Sequence, residues 1–317
     1  LTELLGIEHP IMLAGMGGVS YAELTAAVSN AGGFGCLGAS TMSMPGLSRE
    51  LKSVQALTAA PFGVDLLTAL PDQFDTALDL LFEAKATLFV AGLGVPSTVI
   101  ERCHDAGVLV GSLCGKVAHA QRAVDAGCDL VIAQGTEAGG HTGAVATFPL
   151  VPLIVDAVSA TVPVVAAGGI FDGRGLAAAL ALGADGVWVG TRFIATPEAR
   201  AVSEFKERIL AADETDTTIT KAYSGKPMRV LRNDATAYFD VHPEDLQPFP
   251  EQLSASLTAG RFHLGGDSET PGIMPDQEGY PAGQAVGGLQ QLEDAASIVH
   301  RMVFEAEAIL QRCSDLC

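Results

Sequence analysis

A chain of 317 residues, 48% hydrophobic and only 17% charged, can bury a large core, and this excludes a disordered protein. Its 18 Lys and Arg against 37 Asp and Glu give a net charge of −19, which would repel a phosphate backbone and so excludes non-specific nucleic-acid binding. The six cysteines (Cys36, Cys103, Cys114, Cys128, Cys313 and Cys317) form no CxxC pair and no metal-like spacing, so a reducing compartment and no metal site are expected.

The order of elements comes from alternating apolar runs and helix signals. Pro10–Ala14 (PIMLA) reads as a first strand, with Gly15-Met16-Gly17-Gly18 as its loop. Ser20 is suited to cap a helix over residues 21–31. Residues 33–39, 62–67, 88–92, 108–113, 130–134, 162–167 and 186–193 supply seven more strand-like runs. Between them lie helix-like segments opened by Pro45, Pro71, Pro96-Ser97, Val117, Pro149 and Gly173, and residues 289–310 supply the last. The strands are near-continuous apolar runs, as strands buried on both faces should be. Eight such alternations predict a (β/α)8 TIM barrel, with a doubly wound open sheet as the structural alternative.

The regularity stops after Phe193. A helix over residues 198–212 is followed by a stretch rich in Thr, Asp, Pro and Gly. A segment this long exceeds a βα loop, so residues 196–281 are expected to form a small inserted domain or lid after strand 8. The chain then divides into a barrel over 1–195, the insertion over 196–281 and a closing helix within 282–317. No basic region precedes an apolar run at the start of the sequence, and no apolar run reaches the roughly 18 residues of a membrane helix. A cytoplasmic protein with no membrane partner is expected, and a mean hydropathy of +0.33 leaves apolar surface for a homodimer.

The chemistry gathers at Gln134–Gly143 (QGTEAGGHTG), directly after the sixth strand. Ala138, Gly139, Gly140 and Gly143 surround His141, and small residues at a strand end let a flat ligand approach the backbone. A lone histidine is more often a buried ring satisfied by backbone. The clustering of small residues after a strand favours His141 as the proton-transfer group beside a flavin. Glu137 is the rival, although a carboxylate in that turn more commonly accepts backbone N–H bonds. Lys116 fits a solvated helix start better than a ring contact. Cys114 lacks a base and fits packing. His104 and His119 fall in helices, while His242 and His263 lie in the insertion, where His263 could serve a lid.

Two further Gly-rich turns follow the seventh and eighth strands. Ala167-Gly168-Gly169 and Gly190-Thr191 stand where barrels commonly bind phosphate, through exposed N–H groups and a hydroxyl. Arg174 or Arg192 are the charges available nearby. Gly15-Met16-Gly17 lacks the third glycine of a dinucleotide fingerprint.

Taken together, PIMLAGM, FGVD, QGTEAGGHTG, AAGGI with DGRG, GVWVGTRF and PAGQAVGG resemble the nitronate monooxygenase (2-nitropropane dioxygenase) family, related to flavin-type enoyl-acyl-carrier-protein reductases. The resemblance implies an FMN-dependent oxidoreductase on a barrel with a small insertion, oxidising alkyl nitronates with O2. It implies catalysis by His141, with Ala14, Gly15, Met16, Asp65, Gln134, Gly139 and Gly140 along the flavin, and Ala167, Gly168, Gly169, Gly190 and Thr191 at its phosphate. Two departures stand out. Asp65 replaces the Asn of many relatives, and an ionised Asp only accepts hydrogen bonds. The opening turn, Ala14-Gly15-Met16-Gly17, differs from the Gln or Ala-Pro often found in nitronate-oxidising relatives. The alternatives are an NAD(P)H-dependent reductase of an enoyl thioester or quinone, and a flavin dehydrogenase of a CoA-linked intermediate. Lys221, Lys226, Arg229 and Arg232 motivate a phosphate-rich carrier. A flavin-free phosphate-binding barrel, an isomerase or lyase, is the alternative of a different class.

Overall fold

The computed structural model describes residues 1–67, 71–92, 94–263 and 270–315. In chain order the strands are β1 (Ile11–Leu13), β2 (Gly35–Gly38), β3 (Phe62–Leu67), β4 (Leu88–Gly92), β5 (Leu109–Cys114), β6 (Leu130–Gln134), the two-residue β7 (Gly140–His141), β8 (Val164–Ala167), β9 (Gly186–Val189), β10 (Thr217–Thr220) and β11 (Met228–Leu231). Eight of them form one all-parallel sheet in the order β1-β9-β8-β6-β5-β4-β3-β2. A parallel bridge between Met12 and Phe34 joins its two ends. The Leu13 N–H donates to the Phe34 carbonyl, and the Phe34 N–H to the Ile11 carbonyl, each at 2.8 Å. This is a (β/α)8 TIM barrel.

Strand residues alternate between two cores, as a period of two requires. Ile11, Leu13, Val187 and Val189 pack outward against the helices. Met12, Phe34, Leu88, Ile132 and Trp188 fill the interior, with Leu5 of the first helix among them. The same alternation turns Ala14 and Ala167 inward at the C-terminal ends of their strands. The interior is therefore packed with large side chains in depth and edged by small ones at the mouth.

Several boundaries differ from expectation for local reasons. The eighth barrel strand ends at Val189, because Gly190 takes a helical backbone (φ −108, ψ −77) and caps the short helix Thr191–Ile194. Ser20 does not cap the helix Ala22–Asn30; its hydroxyl accepts the Met16 N–H at 2.7 Å and folds the opening turn. The C-terminal helix runs over Ala295–Ser314, capped by Asp294, whose carboxylate accepts the Ser297 N–H. Of the cysteines, Cys36, Cys103, Cys114 and Cys128 are buried and Cys313 is exposed, all as free thiols, while Cys317 lies outside the described residues.

The segment after β9 holds the helices Ser203–Ala211, Asp234–Val241 and Glu251–Thr258, together with the antiparallel pair β10–β11. Tyr223, Met228, Val230, Phe239 and Phe262 form a small apolar cluster of its own. Its entry is tied to the barrel by Arg200, which reaches Glu23 and the buried Glu50 at 2.9 Å each. β11 does not stop at its hairpin. It pairs on with β7, setting Met228 against His141 and Arg229 against Gly140.

Candidate active site

Val64 and Leu66 face the helices, so Asp65 between them points into the barrel mouth. By the same reasoning Gln134, two residues beyond the inward Ile132, and Gly190, two beyond the inward Trp188, face the mouth as well. Ala14, Asp65, Gln134, Ala167 and Gly190 thus share one inward layer at the C-terminal face of the strands, where barrel active sites form. A Cβ on Gly190 would touch Ala14 Cβ and Met16 Sδ at 3.4 Å, so β1 and β9 meet there. A Cβ on Gly15 would overlap the Asp65 side chain. Cys114 belongs to the outward core, and burial pushes its thiol up to about 11, which fits packing.

Asp65 is 9% exposed, and among the described residues no hydrogen-bond donor reaches its carboxyl. Burial pushes its pKa up to about 8. Burial thus favours the protonated carboxyl, which can donate as well as accept, over the ionised acceptor expected from residue type. The buried Cys36 thiol is raised too, by burial and then by Asp65.

Gln134 uses its amide to hold the loop: Nε2 donates to the His141 carbonyl at 2.7 Å. Glu137 accepts the Thr147 N–H at 2.9 Å and the Thr147 hydroxyl at 2.8 Å, so it secures the next helix. Gly139 turns toward protein rather than open space. A Cβ there would stand 2.8–2.9 Å from the Ala282–Gly283 backbone. That late segment is bonded in place by Gly283 N–H to Thr191 Oγ1 and by Gln284 N–H to the Glu137 carbonyl, each at 2.9 Å. Gly140 is different. Its φ of +74 needs glycine, and a Cβ would meet nothing within 4 Å. It leaves room for a flat ligand beside His141.

The His141 ring places Nε2 at 2.9 Å from Ser224 Oγ, on the turn between β10 and β11. Burial lowers its pKa, and Lys226 lowers it further, so the imidazole is neutral at neutral pH. On the neighbouring strand ends, the N–H groups of Gly168, Gly169, Gly190 and Thr191 donate to no protein acceptor among the described residues. Thr191 Oγ1 accepts from Gly283 and keeps its own proton to donate. This free donor set on adjacent strands fits a phosphate group. Neither nearby arginine serves it: Arg174 is paired with Asp172, while Arg192 is buried and bonded to the Ala195 and Gln291 carbonyls, beside Glu293.

The cations of the insertion do not form one patch. Arg229 is buried, with Nε on the Thr136 carbonyl at 2.9 Å and Nη1 on Thr217 Oγ1 at 3.1 Å. Arg232 bonds the Thr215 carbonyl, Lys226 lies 4.0 Å from the Phe249 ring centroid, and Lys221 is exposed. Lys116 is exposed at a helix start. His263 binds the fully buried Glu278 at 2.7 Å, His242 lies beside Glu244, and His104 bonds Asp129. Among the described residues no His, Cys, Asp and Glu group is arranged to hold a metal, and no helix is long and apolar enough to cross a membrane. Sequence reasoning missed Ser224, Thr136 and the packing of Ala282–Gly283. Ser-Gly-Lys-Pro at 224–227 is a readable turn, but nothing local ties it to His141.

A family model for nitronate monooxygenase matches residues 1–83 and 68–304. A 5-hydroxy-7a-methyl-1-oxo-octahydro-1H-indene-4-carboxyl-CoA dehydrogenase of Mycobacterium tuberculosis is 43% identical, over 74% of this chain and 66% of its own. A Staphylococcus haemolyticus protein named "Probable nitronate monooxygenase" is 35% identical, over 80% of this chain and 83% of its own. The solved structure of FabK from Thermotoga maritima superposes with a TM-score of 0.90 at 33% identity, covering 100% of this chain and 98% of that one. The chain belongs to the nitronate monooxygenase family.

Proposed function

We propose that this oxidoreductase is FMN-dependent and moves a proton through His141, with oxidation of an alkyl nitronate by O2 as the leading activity. One observation carries this reading: a half-buried imidazole stands beside Gly140, whose outer face is open, at the same end of the barrel as four unused backbone N–H groups on the next strand ends. FMN, when bound, supplies a ring that exchanges two electrons with a substrate lying flat on it. Gly168, Gly169, Gly190 and Thr191 would hold its phosphate, beside Ala167. Ala14, Gly15, Met16, Gln134 and Gly140 would border the ring, and Asp65 would donate to it. Gly139 would act indirectly, by letting Ala282–Gly283 close over the loop. Where the substrate arrives as the neutral nitroalkane, His141 takes the proton from the carbon next to the nitro group and so forms the nitronate, a task suited to a base that is neutral at pH 7. The hairpin β10–β11 of the insertion acts as the lid beside His141.

A second reading is oxidation or reduction of a CoA thioester, favoured by the 43% identity to a carboxyl-CoA dehydrogenase. The acidified position is then next to a thioester carbonyl, and His141 keeps its task. The buried Arg229 does not serve a carrier in that reading. The visible spectrum of the purified protein, taken anaerobically, tests both. A flavin band that bleaches with an alkyl nitronate but persists with NADH and NADPH supports the leading reading. Bleaching by a reduced nicotinamide or an acyl-CoA supports the thioester or quinone alternatives. Failure to bind FMN on reconstitution refutes the flavin reading.

A further inference from the structure

We propose that Ser224, supplied by the insertion, is the positioning residue that fixes the tautomer of His141 and leaves Nδ1 as the proton acceptor. The inference rests on the reading of His141 as the proton-transfer residue and deepens it. Ser224 is 1% exposed, and its Oγ lies 2.9 Å from Nε2 of His141. The same oxygen lies 3.3 Å from the Lys226 carbonyl and receives the Lys226 N–H, also at 3.3 Å. It is the only group bonded to the His141 ring among the described residues.

A serine hydroxyl has one proton to place. Directed at Nε2, it would force the ring proton onto Nδ1 and leave the Lys226 carbonyl without that donor. Directed at the Lys226 carbonyl, it lets Nε2–H donate to Oγ, and Nδ1 is bare. The second arrangement satisfies each group in the chain Nε2–H, Oγ–H and O=C. It alone survives proton uptake: when a C–H bond of the substrate breaks and its proton adds to Nδ1, the bond from Nε2–H to Oγ is unchanged. A base whose surroundings need no rearrangement has a lower barrier.

The backbone supports this placement. Met228 pairs with His141 across the β11–β7 ladder, and Gln134 holds the His141 carbonyl. The hairpin that delivers Ser224 is thus registered on the histidine it orients. The charged groups on the surrounding elements are Lys226, which disfavours imidazolium, and Glu137 and Arg229, both engaged elsewhere.

The test combines Ser224→Ala, Ser224→Thr and His141→Asn, using the flavin-loaded protein and nitroethane. Nitrogen chemical shifts of the labelled histidines report the tautomer, with His141→Asn assigning the signal. The wild type is expected to show the Nε2–H tautomer at neutral pH. In Ser224→Ala the tautomers should mix and kcat should fall about 10- to 100-fold, with little change in KM. The acid limb of the kcat profile should move to lower pH, because imidazolium loses its acceptor. Ser224→Thr keeps a hydroxyl and should restore most of the rate. An Nδ1–H tautomer in the wild type, or an unchanged tautomer and kcat in Ser224→Ala, would overturn the inference. The wild-type signal decides even if Ser224→Ala fails to fold. Full turnover in His141→Asn would instead remove the reading beneath it.

Discussion

Asp65→Asn is the sharpest perturbation the mouth offers, because it removes a titration and little else. The unfolded carboxyl releases its proton near 3.8 and the folded one near about 8. Between those values the folded state holds one more proton than the unfolded chain. Stability therefore falls as pH rises, at about 1.4 kcal/mol per pH unit. The favourable contribution is complete below pH 4 and gone above about 8. The whole interval corresponds to about 6 kcal/mol. Asn is a neutral near-isostere, and the variant lacks this slope. The two proteins should lie within about 1 kcal/mol of each other at pH 4.5, with the variant more stable by about 5 kcal/mol at pH 9. Urea denaturation of both, at fixed temperature and ionic strength across this range, measures the difference. Parallel stability curves would refute the claim that Asp65 is buried in its protonated form.

Three other substitutions separate packing from ligand contact. Gly139→Ala drives a methyl group into the Ala282–Gly283 backbone, which cannot rotate away, and should cost about 1–3 kcal/mol in thermal unfolding together with FMN binding. Gly140→Ala meets no protein atom and suffers only the strain of positive φ, about 1–2 kcal/mol, so it should fold while its flavin absorbance is lost. Arg229→Met abandons the Thr136 carbonyl and Thr217, should lower stability by about 2–3 kcal/mol, and should open residues 212–231 to limited proteolysis without altering acyl-CoA affinity.

The barrel was legible because each of its strands is buried on both faces, so an apolar run such as Leu130–Ala133 says strand without knowledge of its neighbours. The mouth residues followed from it, since a period of two carries from Met12 to Ala14 and from Ile132 to Gln134. The small antiparallel sheet was not legible. β7 is two residues, Gly140 and His141, and its partner Met228 lies 87 positions beyond His141. Only the folded backbone brings them together. The eighth strand was read too long because Phe193 adds an apolar residue beyond Val189, although one glycine dihedral ends the strand before it. The acidity of Asp65 was not legible for a different reason: residue type gives an ordinary carboxyl, and burial without a donor favours its protonated form.

Asp65 and His141 together define the charge of the site. Burial acts on both, and it disfavours whichever form is charged. The acid is held protonated up to about 8, and the imidazole is held unprotonated to below its ordinary 6.5. A chain of net charge −19 thus carries at this mouth a neutral donor and a neutral base, with free backbone N–H groups beside them. On the proposed reading, an anionic phosphate and a nitronate would meet no fixed carboxylate from Asp65. The pair also sets a pH window for turnover. Activity should rise through the His141 pKa, below 6.5, hold a plateau, and fall as Asp65 ionises at about 8 or above. Profiles of kcat/KM for the wild type and Asp65→Asn decide the matter. The variant should keep the acid limb and lose the alkaline one, whereas an alkaline limb that survives in Asp65→Asn would assign that ionisation to another group.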